Sequence, residues 1–243
     1  MLVLCIFMIL FASCGIEDYL YLDPIPESGI TVQLNSRATV QLPSRSSYDS
    51  VSNFHFTLFY RIYVSGLLRE SVSISDYSAL NPTLASDYNV LLPYTDTSST
   101  STANVSAVGT VFRNRNYYTL ELESVNIDNV LASGSSGKTL TLDFLQNPGW
   151  IPRMEIDGVP YSLFRSDGGG NFKPEPDRYF RSSEDLTDSA KASSLANADV
   201  VPASGTPVEK YAYVAFYIAA SGMNNNFSPV YSAPTFVGVL QLP

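Results

Sequence analysis

The chain of 243 residues is poor in the groups on which most catalysis and most metal binding depend: two cysteines, one histidine and one tryptophan. A single imidazole, His55, leaves any acid-base chemistry of the histidine type to converge on one residue, and the chain has no G-x-S-x-G nucleophile motif to accompany it. His55 lies between Phe54 and Phe56, which reads as a structural or surface position in a strand. The two cysteines are Cys5 and Cys14, so beyond the N-terminal run there is neither thiol nor disulfide, and a zinc site of the usual His/Cys kind has no ligands. Positive charge is scarce as well. With 14 Lys and Arg against 23 Asp and Glu the net charge is -9, which argues against a nucleic-acid partner and against electrostatic adhesion to anionic lipid. Charged residues of both signs make up only 15%.

What the chain does have is 16 Tyr, 13 Phe, 15 Pro and 14 Gly. Aromatic residues favour pleated, half-buried positions, whereas Pro and Gly punctuate, so the composition points to an all-β fold of short strands and frequent turns. The hydrophobic pattern agrees. "ITVQL" and "ATVQLP" alternate Ile30, Val32, Leu34 and Ala38, Val40, Leu42 with polar partners about a turn at Asn35 to Arg37. A long strand, "NFHFTLFYRIYVSG", carries an apolar row from Phe54 to Val64 and an opposite row, His55 to Tyr63, expected to be half exposed. Further strands are expected at "YNVLLPY", at "VGTVFR" and "YYTLELESV" as a hairpin about Asn114 to Asn116, and at "KTLTLDF". In "RMEIDGVPYSLF", Asp157-Gly158 marks a tight hairpin turn. One short helix is expected at about Glu184 to Asn197, and two strong strands end the chain. Tyr117 and Tyr118 should face opposite ways, leaving one exposed.

The N-terminus carries the address. Leu2 to Ile16 is almost wholly apolar, too short for a membrane span of about 20 residues but suited to a secretory signal. Within it "FASCG" resembles the lipobox of bacterial lipoproteins, in its looser spirochaete-type form because Phe11 stands where Leu is usual. The resemblance implies removal of residues 1–13, acylation of Cys14, and attachment to the membrane of the bacterial cell envelope, on the periplasmic side or exposed at the surface. Residues 14–28, with Pro24 and Pro26, read as a tether. The segments "FTLFYRIYVSG" and "AYVAFYIAASGMNNNFSPVYSAP" resemble strands of a fibronectin type III or other immunoglobulin-like sandwich. That implies an antiparallel β-sandwich over residues 29–243. The stretch between the two segments is longer than a whole sandwich domain of about 100 residues, so an inserted β-rich region is expected at about 71–206.

Candidate chemistry is sparse. Ala132, then Gly137, Lys138 and Thr139, match a relaxed phosphate-loop pattern, but "LTLDF" continues as a strand where a helix is needed. No nucleotide is expected, and "ASGSSGK" reads as a hairpin connection. The acids Glu155 and Asp157 share a strand face, and Asp167, Glu175, Asp177, Glu184, Asp185 and Asp188 fall in a polar region whose spacing does not match an EF-hand. No cofactor and no metal is expected. Trp150, with Tyr161 and Tyr179, is the candidate aromatic platform for a glycan or protein ligand. The favoured reading is a lipid-anchored, non-enzymatic binding or structural module. The alternative is a secreted carbohydrate-active hydrolase or sugar-binding module using the acidic loops and Trp150.

Overall fold

The computed structural model describes residues 22–48, 51–95, 108–122, 127–132, 137–144, 152–165, 180, 199–223 and 229–242. These residues are mostly β, in two largely antiparallel sheets. The first sheet has the order β1-β2-β6-β7-β8-β5, from β1 (Ile30–Gln33), β2 (Arg37–Leu42), β5 (Glu121–Leu122), β6 (Lys138–Asp143), β7 (Arg153–Ile156) and β8 (Val159–Phe164). The second is built on the ladder between β3 (Ser52–Ser65) and β10 (Tyr211–Met223), which runs from Tyr211 opposite Ser65 to Met223 opposite Ser52. On the outer edge of β10 lie β11 (Pro229–Tyr231) and β12 (Thr235–Gln241), and on that of β3 lie β4 (Tyr118–Thr119) and β9 (Val200–Val201). Only the β3–β9 pair is parallel among the described ladders. Of the stretch 71–206, β6, β7 and β8 continue the sheet that β1 and β2 begin.

The first sheet follows its period-two pattern. Ala38, Val40, Leu140, Leu142, Met154 and Ile156 point inward, while the register Thr39–Thr141–Glu155–Pro160 forms a polar outer row. The turn at Asp157-Gly158 is as expected from the sequence: both residues have positive φ (50° and 81°), as a type I′ hairpin requires. Leu34 departs from the pattern. The row Ile30, Val32, Leu34 reads in the sequence as one apolar face, but Ile30 is half-buried, Val32 is 42% exposed, and Leu34 occupies the β1–β2 turn at φ 42° and is 79% exposed.

The second sheet is buried on both faces. Toward the first sheet it presents Phe54, Phe56, Leu58, Tyr60 and Ile62 with Val214, Phe216 and Ile218, which join the inward residues of the first sheet in one core. The opposite row, expected to be half exposed, is instead covered: Phe59, Arg61 and Tyr63 are all buried, with Tyr213, Ala215, Tyr217 and Ala219 beside them. The cover is a helical layer made of α1 (Tyr77–Leu80), α2 (Pro82–Thr95) and α3 (Val108–Asn114), which contributes Tyr77, Leu80, Leu84, Leu91, Val108 and Phe112. A four-residue helix, α4 (Ile127–Val130), lies against β3.

These helices overturn two expectations. "YNVLLPY" lies in α2, not in a strand, and "VGTVFR" forms α3, not the first arm of a hairpin. The cause in α2 is local: the Asn81 side chain accepts from the Thr83 N–H (3.0 Å), and Pro82 occupies the first helical position, where its missing N–H costs nothing. Asn81 also donates to the Val64 and Pro202 carbonyls, fastening the helix start to the ends of β3 and β9. In α3, Val108 and Phe112 are four apart and share the buried face. Tyr117 and Tyr118 do face opposite ways, but neither is exposed: Tyr117 is buried among the helices and Tyr118 packs against the core between the sheets.

Two seams join the sheets. At one, the strand bends at Leu120, so that β4 pairs with β3 while β5 pairs with β8. At the other, the Gln241 N–H donates to the Asn35 carbonyl (2.7 Å), and Gly238, at φ 143°, leaves room for Val32, whose Cγ2 would lie 2.9 Å from an added Cβ. The second half of the expected tether is packed here too. Leu22 and Ile25 are buried, the Asp23 carbonyl accepts from Tyr48 Oη, and that of Ile25 from Thr235 Oγ1.

Candidate functional site

The residues singled out by sequence do not come together among the described ones. Cys14, Trp150 and Tyr179 lie outside the described residues, as do Asp167, Glu175, Asp177, Glu184, Asp185, Asp188 and the expected helix at 184–197. Tyr161 stands on β8 opposite Met154, half buried and packed against the core between the sheets. Asp157 is exposed and accepts the Thr139 N–H (2.8 Å), a contact that ties the hairpin to β6. His55 is half buried, with Nδ1 2.9 Å from the Asn53 carbonyl and Nε2 3.5 Å from Asp128 Oδ1.

The residues of the phosphate-loop match have other employment. Lys138 donates from Nζ to the carbonyls of Val130 (3.1 Å) and Ala132 (2.6 Å), capping the end of α4, and it opens strand β6. An added Cβ on Gly137 would meet the Leu42 carbonyl oxygen at 2.6 Å, so this glycine is there for a close approach of two backbones.

What sequence reasoning missed is a pair of buried acid–arginine–tyrosine clusters, one on each face of the β3–β10 ladder. On the helical face, Asp87 of α2 is fully buried and accepts from Arg61 Nη1 (2.5 Å), Tyr63 Oη (2.7 Å) and Arg115 Nη1 (3.3 Å), while Tyr63 and Tyr117 share a hydrogen bond (2.9 Å). Ala215, opposite Arg61 in the ladder, leaves space for the guanidinium. Burial first, and then the Asp87 carboxylate, push the Tyr63 phenol well above its ordinary range; burial and then Tyr63 do the same for Tyr117. Both phenols are therefore hydrogen-bond donors at neutral pH. On the other face, Asp199 accepts two bonds from Arg165, through Nε (2.8 Å) and Nη2, and one from Tyr60 Oη (2.9 Å). Burial alone would lower the Arg165 pKa, but Asp199 more than offsets it and the value is raised. In each cluster the carboxylate is saturated with donors, which suits holding strands and helices in register.

The surface feature with the clearest potential for recognition is one end of the sandwich, where β3 ends and β10 begins. Three chain segments meet there. Asn35, in the β1–β2 turn, donates from Nδ2 to the Arg69 carbonyl (3.3 Å) and accepts the Val72 N–H at Oδ1 (2.8 Å). Tyr213 Oη donates to the Leu67 carbonyl (2.8 Å) and accepts from the Arg69 N–H (2.9 Å). Gly66 lies so close to Pro207 that an added Cβ would sit 2.6 Å from its ring. On these braced loops Leu34, Leu67, Leu68 and Val208 are 79%, 42%, 53% and 102% exposed. A signal existed in the sequence only for Leu67-Leu68, two apolar residues following a Ser-Gly stop.

Among the described residues no group of three or more His, Cys, Asp or Glu is placed to hold a metal ion, and no helix is long and apolar enough to cross a membrane. No family model matches the chain, and no match is found among curated proteins or solved structures.

Proposed function

We propose that this chain is a lipid-anchored protein of the bacterial cell envelope whose β-sandwich, of the immunoglobulin and fibronectin type III kind, serves as a non-enzymatic binding or structural module. The observation that carries the reading is the sequence "FASCG" at the end of an apolar run, with Cys14 the only cysteine outside the segment that processing would remove. The architecture supports it in a second way. Leu22 is the first described residue and is buried, and eight residues, Cys14 to Tyr21, lie between it and the cysteine that would be acylated. Fully extended they span about 28 Å, enough to hold the body clear of the lipid headgroups. The partners on this reading are the membrane, through Cys14, and a protein or glycan ligand at the exposed loops.

Metabolic labelling with palmitate and detergent partitioning, wild type against Cys14→Ala, test the anchor. Label and detergent-phase recovery that disappear in the variant are the expected result. Absence of label in both would overturn it.

A further inference from the structure

We infer that the loop end formed by Leu34, Leu67, Leu68 and Val208 is a self-association surface, and that its occupant is a second copy of this chain. Three observations lead there. First, the surface is built: hydrogen bonds from Asn35 and Tyr213 fix the turn and the loop 66–72 against each other, and Gly66 packs on Pro207 beside Val208. Second, Leu34 is 79% exposed. It takes a left-handed conformation (φ 42°) that Asn or Gly adopts more readily, and it directs an apolar side chain into solvent, so the fold alone gives no reason for leucine.

Third, the charges flanking the apolar residues suit the same surface on another copy. Each loop carries an adjacent pair of opposite sign, Arg69-Glu70 and Glu209-Lys210, all exposed. Arg69 lies 4.0 Å from Asp76, and Glu209 accepts from Tyr211 Oη (2.6 Å). A two-fold contact brings each surface onto itself, and a patch whose charges alternate satisfies that condition, whereas a one-sign patch would repel its copy. With Asp76 beside Arg69 this end carries two basic and three acidic groups, closer to balance than the chain's net charge of -9, and two copies meet there with less repulsion than at a one-sign acidic face.

The bilayer that holds the anchor is a poor occupant. Of the packed N-terminal residues, Asp23 bonds to Tyr48, which stacks on Phe54 near the start of β3, and Ile25 bonds to Thr235 at the middle of the ladder, whereas the apolar loops follow the end of β3. From Phe54 to Ser65 the strand runs about 36 Å, longer than the roughly 28 Å that eight extended residues can span, so end-on entry of the loops into that bilayer is disfavoured. Four apolar side chains are fewer than the 20 to 30 residues per side of a standard interface, about which a weak contact follows, one populated when copies are crowded. Crowding on a membrane rests on the lipid-anchor reading; the contact itself does not.

Site-directed cross-linking of the full chain tests this, because cysteine is absent beyond position 14. Leu68→Cys and Val208→Cys are compared with Val159→Cys, at an exposed hairpin on the opposite end of the first sheet, and with the wild-type background, in membranes and in concentrated detergent solution. The expected result is a disulfide-linked dimer from both loop positions, about tenfold above the Val159→Cys yield, and reduced several-fold when Leu34→Ser or Leu67→Ser is added. Equal yields from Val159→Cys, no dimer from either loop position, or a cross-link to a different species would each overturn the proposal. If palmitate labelling fails while the loop dimer persists in solution, only the anchor is lost.

Discussion

The two faces of the β3–β10 ladder are both buried, yet they are covered by different things and made of different side chains. Toward the first sheet the ladder offers Phe54, Phe56, Leu58, Ile62, Val214, Phe216 and Ile218, which interdigitate with Val40, Leu140, Leu142 and Met154. Toward the helices it offers tyrosines with small residues between them: Tyr63, Tyr213 and Tyr217, with Ala215 and Ala219. Two sheets meet with side chains of similar length and fill the space with hydrocarbon. On the helical side Tyr63 reaches Asp87 of α2 with its hydroxyl (2.7 Å) and Tyr213 reaches the Leu67 carbonyl (2.8 Å), each over an apolar ring. The aromatic contacts show it: Phe112 packs against Phe59, Tyr117 and Tyr217, with centroids 4.6, 5.2 and 5.1 Å apart. Each face nevertheless contains one buried acid held by arginine, so the contrast lies in what surrounds the charges rather than in their presence.

The most severe way to test the comparison is to delete each acid. Asp87→Ala leaves Arg61 buried, with Nε already lacking a partner, and Asp199→Ala leaves Arg165; each is expected to cost about 3–5 kcal/mol in urea unfolding. A loss under about 1 kcal/mol at either site would mean that water replaces the acid there. Alkaline titration tests the helical face next. The phenols of Tyr63, Tyr117 and Tyr217, all on the helical face, are held above their ordinary 10.0 chiefly by burial. The folded state thus keeps protons that the unfolded chain releases, so their contribution is intact below a pH of about 10 and declines as the pH rises beyond it. Absorbance at ultraviolet wavelengths should show these phenols ionising together with loss of helical signal, and separate ionisation would break the argument.

Smaller effects belong to the seam and the loop end. Gly238→Ala meets Val32 and an unfavourable φ, for an expected loss of about 1–3 kcal/mol, partly recovered by Val32→Ala. Leu34→Asn should stabilise by about 0.5–1 kcal/mol, since Asn tolerates the left-handed conformation; a thermal melt that falls instead would show that Leu34 has a packing role within the monomer.

Much of the first sheet was legible before the fold was known. Residues 37–42 alternate and residues 139–142 do the same, because one face meets the core, and the Asp157-Gly158 turn has a local cause in positive φ. The helical layer was not. Its amphipathic signal is weak because α2 also exposes Val90 and Leu92, although Asn81-Pro82 could have marked its start. Of the candidate site, only residues with a local signature were visible, as Leu67-Leu68 were; Leu34 and Val208 lie far off in the chain and join them only through Asn35, Tyr213 and the Gly66–Pro207 contact.

By itself, then, the sequence determined the β-rich class, the two long strands and the strand-forming fate of Lys138-Thr139, since each follows from period, composition or a turn dipeptide acting over a few residues. Tertiary structure alone decided that Thr57 to Tyr63 is a covered row, that Asp87 and Asp199 find their arginines, and that four distant apolar residues share one end. Those outcomes depend on which elements pack together, and contacts between residues 26 to 144 positions apart leave no periodic trace in a chain.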